Sequence, residues 1–179
     1  QSINIFADMT GTAVGSTVRD RTGHGWTATI NNAVATNVQY TTAGNGADNT
    51  ITVLRGSTAT QLLWPVNSIP AVFTVCTVSR YTTGTRGLIF SDLCDPCRAG
   101  FSSNNNIFGH WNGFRGIGYY NEKFHTQNTV QLGTPENWLV ECGTSSKSDY
   151  ANNVVVDQMS IGISPATGAG AATPGTMNV

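Results

Sequence analysis

Charge is what this chain has least of. Only 11% of its 179 residues are charged, against roughly 25% in an average soluble domain, and lysine occurs only at Lys123 and Lys147. Nine basic residues stand against ten acidic ones, for a formal net charge of −1. No clustered basic face is there to neutralise a phosphate backbone, so no nucleic-acid partner is expected. Long apolar runs are missing too. None approaches the roughly 18–20 residues that span a bilayer as a helix, so no membrane insertion is expected, and apolar residues at helical spacing are absent over any useful length. The first residues lack the charged-then-apolar order of a signal peptide. A start at Gln1 suits a secreted chain that has already been processed, and a fragment boundary equally.

Catalytic motifs are absent as well. There is no GxSxG elbow and no phosphate-cradling GxxxxGK[ST]. Glycosidic hydrolysis usually takes two carboxylates at one site, and on a strand these need even spacing to share a face. The acidic residues are Asp8, Asp20, Asp48, Asp92, Asp95, Glu122, Glu136, Glu141, Asp149 and Asp157, and no two lie two or four apart. His24, His110 and His125 have no catalytic partner beside them in the sequence. The expectation is therefore not an enzyme, although a serine, a histidine and an acid can still meet in space, because triads are defined by geometry.

Threonine, serine, asparagine and glycine take the place of charge, and they favour strands and turns. The segments "INIF", "TATI", "ITVL", "QLLW", "AVFTVCTVSRY", "GLIF", "FGHW", "GIGYY", "NWLVEC" and "NVVVD" are short and aromatic or β-branched, and turn residues bound them. An all-β, two-sheet antiparallel sandwich or jelly roll follows, built as one unit over residues 1–164. Pro65 and Pro70 mark a crossing between strands, since proline cannot donate to a central ladder. Residues 165–179, "PATGAGAATPGTMNV", read as a Gly-, Ala-, Pro- and Thr-rich arm.

Four cysteines allow three pairings. Cys76 and Cys142 lie on strand-like segments and are expected to join across neighbouring strands, with Cys94 and Cys97 of "LCDPC" as a local clip. Buried free thiols at Cys76 and Cys142 are the alternative. A zinc site would need ligands beyond the one CxxC.

The densest stretch is "FGHWNGFRGIGYYN". As a hairpin turning at Asn112–Gly113 it places Phe108 and His110 on one face and Ile107 and Trp111 on the other. Half of its aromatics would then be core, and the rest would line an exposed or concave face. Rings that stack on sugar C–H groups, beside Arg and His donors, suit a glycan, so His110, Trp111, Arg115 and Tyr120 are the candidate ligand-binding residues. The alternative is that the rings fill a β core and Arg115 caps a turn.

"SIPAVFTVCTVSRYTTGTRGLIF", then "FGHWNGFRGIGYY", then "NWLVECGT" with "NVVVD", resemble the laminin-G-like modules of the concanavalin A-like lectin and glucanase superfamily. "INIFADMTGTAVGSTVRDRTGHGWTATI" resembles that family's opening strand and Asp-containing turn. The resemblance covers roughly residues 3–160 and implies a concanavalin A-like jelly roll, extracellular or on a cell or virion surface. Glycan binding or adhesion is the implied work, and a structural subunit of a filament, surface appendage or virion-surface assembly is the alternative. Calcium sites in the family use acidic and carbonyl ligands at loop rims, for which Asp48, Asp92 and Asp95 are the matching residue types; no other cofactor is expected. The Glu-x-Asp-x-x-Glu strand of the superfamily's glucanases is missing. So is a closing strand beside "INIF", which leaves an edge to be covered; the arm 165–179 is expected to supply it to a neighbouring copy by strand addition, the alternatives being that the arm folds back on its own domain or that a longer chain supplies the strand in cis.

Overall fold

The computed structural model describes residues 13–14, 17–31, 36–40, 45–56, 61–65, 68–70, 72–82, 89–91, 107–111, 113–120, 124–126, 134, 136–145 and 153–164. "INIF", Cys94, Cys97, Asp92, Asp95 and the arm 165–179 lie outside the described residues. Every regular element among the described residues is a β-strand and every pairing is antiparallel. The all-β reading is therefore right. Two compact units divide between Ser68 and Ile69, inside the segment where Pro65 and Pro70 were expected to mark a crossing.

The first unit holds β1 (Ala13–Val14), β2 (Thr17–Val18), β3 (Ala28–Asn31) and β6 (Gln61–Leu63) as one sheet, with β4 (Thr36–Tyr40) and β5 (Ile51–Arg55) as a separate pair. Val18 stands opposite Ala28, and Ile30 opposite Leu62. Paired residues share a face, so these four form one buried cluster, against which Leu54 and Trp64 pack.

The second unit has two sheets. One runs in the order β15 (Gly162–Ser164), β11 (Phe124–Thr126), β10 (Phe114–Tyr120), β9 (Ile107–Trp111), β8 (Phe90–Ser91). The other runs β14 (Met159–Ser160), β13 (Val154–Val156), β12 (Leu139–Thr144), β7 (Thr74–Ser79). In the β9–β10 hairpin Trp111 stands opposite Phe114, the closure that the Asn-Gly dipeptide leads one to expect. One further residue departs from a plain ladder: the register slips between Arg115 and Ile117, where Gly116 has φ +77°. This is a β-bulge in which glycine takes the left-handed conformation other residues resist.

In the second sheet alternation sets two distinct faces. Leu139, Glu141 and Gly143 of β12 are buried, as are Val154 and Val156 of β13, while Val140 is exposed. On β7 the inward positions are Val75, Thr77 and Ser79, and the outward ones are Thr74, Cys76 and Val78. Cys76 stands directly opposite Cys142, and the two are joined by a disulfide, with Cα atoms 4.1 Å apart. The expected cross-strand pairing is thus formed, on the outer face.

Candidate functional site

The polar groups of the second unit gather between its sheets. His110 of β9 is fully buried. Its Nδ1 lies 3.2 Å from the Ser79 hydroxyl at the end of β7, and the Tyr81 ring meets it edge-on with centroids 4.9 Å apart. Arg115 stands opposite His110 across the hairpin and is 8% exposed. Burial, then the Arg115 charge, lowers the His110 pKa to about 4, so the ring is neutral at ordinary pH.

Arg115 is heavily engaged. Its Nη2 donates to Asp157 Oδ2 at 2.6 Å and to the Trp138 carbonyl, and its Nε donates to the Asn137 carbonyl at 3.4 Å. Asp157 in turn accepts from the Val140 N–H at 3.0 Å. It sits with Gln158 in the two-residue turn between β13 and β14, both at positive φ, the geometry of the tight hairpin turns that match strand twist. Arg80 completes the frame: it donates to the Glu136 carbonyl at 3.0 Å and lies 5.3 Å from the Trp138 ring centre. Two arginines thus hold successive carbonyls of 136–138, just before β12.

Glu141 is the outlier. It is fully buried on the inner face of β12, and neither carboxyl oxygen has a hydrogen-bond partner. The Gly109 N–H lies near enough to favour the ionised form without making a full bond. Burial dominates and, with a smaller push from the Asp157 charge, raises the carboxyl pKa well above the usual range against Gly109 and Arg115.

Of the serine, histidine and acid whose meeting in space the sequence left open, Ser79 and His110 meet, while Glu141 approaches the Gly109 main chain and bonds to neither. The arrangement does not work as a nucleophile relay as it stands. Ser79 and His110 are sealed from solvent, the His110 Nε2 meets no partner, and a neutral acid would not stabilise an imidazolium.

Of the ligand-binding candidates, His110 and Arg115 face the interior, and the side chains of Trp111 and Tyr120 lie outside the described residues. Asp48 is exposed in the loop between β4 and β5, and among the described residues no three His, Cys, Asp or Glu side chains gather as metal ligands. Reading along the chain missed Glu141 and also the Asp20–Thr22–His24 turn. There the Thr22 hydroxyl lies 2.6 Å from Asp20 Oδ2 and 2.7 Å from His24 Nδ1, and the Thr22 N–H donates to Asp20 Oδ1 at 2.9 Å. An Asp two residues before a Thr is the signal that could have found it.

Gly109 makes the inner layer this close. Its φ is +92°, and an added Cβ would stand 3.3 Å from Ser79 Oγ and 3.5 Å from the Phe90 ring. Gly109→Ala is expected to cost about 1–2 kcal/mol and to push Ser79 away from His110. Urea denaturation gives the first quantity and the His110 imidazole NMR signals the second; an unchanged midpoint would mean that the backbone relaxes freely here. Compared with protein-family models, with curated proteins and with solved structures, the chain matches none.

Proposed function

We propose that the chain is a non-enzymatic extracellular module, a concanavalin A-like jelly roll of the laminin-G-like kind. Its work in this reading is association through the surface, as a structural subunit meeting other copies of itself. The observation that carries this is the outer face of β7 and β12. Val78 and Val140 stand opposite each other there at 62% and 49% exposure, beside the Cys76–Cys142 disulfide and the hydrogen-bonded Thr74–Thr144 pair. No charged residue occupies an outward strand position of β7 or β12. Exposed apolar pairs on a sheet face favour contact with another surface, and with a net charge of −1 two copies repel each other little. The disulfide suits an oxidising compartment.

The glycan reading has less support, because two of its four candidate side chains, His110 and Arg115, are buried. It now depends on Trp111 and Tyr120. Light scattering after size exclusion separates the two. The wild type is expected to associate, and Val78→Lys with Val140→Lys to leave a folded monomer. A wild-type monomer that binds on a glycan array, and loses that binding on Trp111→Ala or Tyr120→Ala, would replace the assembly reading with the lectin one.

A further inference from the structure

The inner layer of the second unit holds polar atoms that the fold leaves unanswered. Thr77 Oγ1, His110 Nε2 and both Glu141 carboxyl oxygens are buried without a hydrogen-bond partner. They come from three strands, β7, β9 and β12, and Thr77 stands directly opposite Glu141. Buried polar groups in native proteins are nearly always paired, so four such atoms in one unit call for a reason.

We propose that Glu141 and His110 make the second unit a two-sided pH sensor: its sheets stay joined in mildly acidic solution and loosen when either group is driven to charge, Glu141 on the alkaline side and His110 on the acid side. The geometry supplies the argument. A charge formed at either residue would be fully buried, and such a charge is costly unless paired. The cation at hand, Arg115, is held by Asp157 and by the Trp138 and Asn137 carbonyls. Among the described side chains, the titratable and charged groups around the layer are His110 from β9, Arg115 from β10, Glu141 from β12, Asp157 from the β13–β14 turn, and Tyr81 and Arg80 beyond β7, Arg80 being engaged by the Glu136 carbonyl and the Trp138 ring. The inward side chains of β7 do not titrate. None of these groups offers Glu141 or His110 an uncommitted opposite charge.

The signs follow from each shift. Glu141, raised from 4.5, contributes stability that is complete below that value and is lost as pH rises toward its folded pKa. His110, lowered from 6.5 to about 4, contributes stability that is complete above 6.5 and is lost as pH falls toward 4. Each group changes the unfolding constant about tenfold per pH unit in its own window. Between 4.5 and 6.5 the two slopes oppose and cancel, which makes a plateau with a fall on each side.

Two variants take the device apart. In Glu141→Gln, a neutral near-isostere of the protonated acid, the alkaline fall should vanish. The unfolding constant should then rise about 300-fold from pH 6.5 to 4, two and a half units at tenfold each. In His110→Gln the fall should begin at about pH 4.5 and continue upward. Urea unfolding followed on the Leu139 and Val154 methyl signals reads both, and carbon NMR of the Glu141 carboxyl reads its titration directly, even where a variant folds poorly. A wild-type carboxyl that titrates near 4.5 would overturn the proposal. So would a wild type and Glu141→Gln with the same slope above pH 6.5.

Discussion

Replacing Cys76 and Cys142 together by alanine is expected to lower the free energy of unfolding by about 4 kcal/mol, the chain-entropy value for a bridge closing a loop of this length, across 66 positions of sequence. The loss acts chiefly through the unfolded chain. In the fold, β7 and β12 are already held by a six-residue ladder from Leu139↔Ser79 to Thr144↔Thr74, extended by the Phe73 N–H to the Ser145 hydroxyl at 2.8 Å and the Ser145 N–H to the Phe73 carbonyl at 2.9 Å. The variant should therefore keep its sheet signature while its urea midpoint drops. Cys76 is exposed, so reduction of the wild type by a dithiol should reproduce the double variant. A loss under about 1 kcal/mol would mean that the unfolded chain already keeps β7 and β12 close, which removes the entropic argument.

Much of this sheet was legible in the sequence, and the disulfide best of all. Two cysteines on β-branched segments suggested cross-strand neighbours, and the register places them opposite each other. "WNGF" likewise announced the β9–β10 turn, since Asn-Gly adopts the backbone that a two-residue hairpin needs. What could not be read was which face turns inward. In "LVECGT" one parity joins Leu139 with Glu141 and the other joins Val140 with Cys142, so local apolarity favours burying Val140 and Cys142, the opposite of what the fold does. The choice is made by neighbours far along the chain. Glu141 pairs with Val156 and Gly143 with Val154, and burying Leu139 with those two valines carries Glu141 in by parity alone.

The β-bulge was less legible. Simple alternation along "FRGIGYY" takes no account of the bulge at Gly116, and a lone glycine in a strand signals such a kink only weakly. The bulge lets Arg115 keep its place opposite His110 while the ladder beyond shifts by one. His110 and Arg115, chosen as sugar-facing donors, are interior groups of the second unit. Their chemistry is turned toward Ser79, Asp157 and the carbonyls ahead of β12. The jelly roll and its ligand rest on resemblance; the buried polar layer rests on register.

Arg115→Met should separate those two roles for the arginine. At a ligand-facing surface the change would cost under about 0.5 kcal/mol. Inside the second unit it removes the donor that Asp157 and two main-chain carbonyls accept from, while the methionine keeps most of the apolar stem. Breaking a buried ion pair by deleting one partner typically costs about 3–5 kcal/mol. The lower end applies here, because the Arg115 side chain is 10% exposed but Asp157 is 35% exposed and regains water. The expected loss is about 3 kcal/mol, measured by urea denaturation at pH 6, within the plateau where Glu141 and His110 offset each other. Asp157→Asn should cost less, since its single carbonyl oxygen still accepts from one of the two donors, Arg115 or the Val140 N–H, that Asp157 meets with separate oxygens. In the double-mutant cycle the two changes should be strongly coupled, as contacts within one network are. Additive losses, or a cost for Arg115→Met near zero, would place Arg115 outside the frame that holds 136–138 and return it to the surface reading.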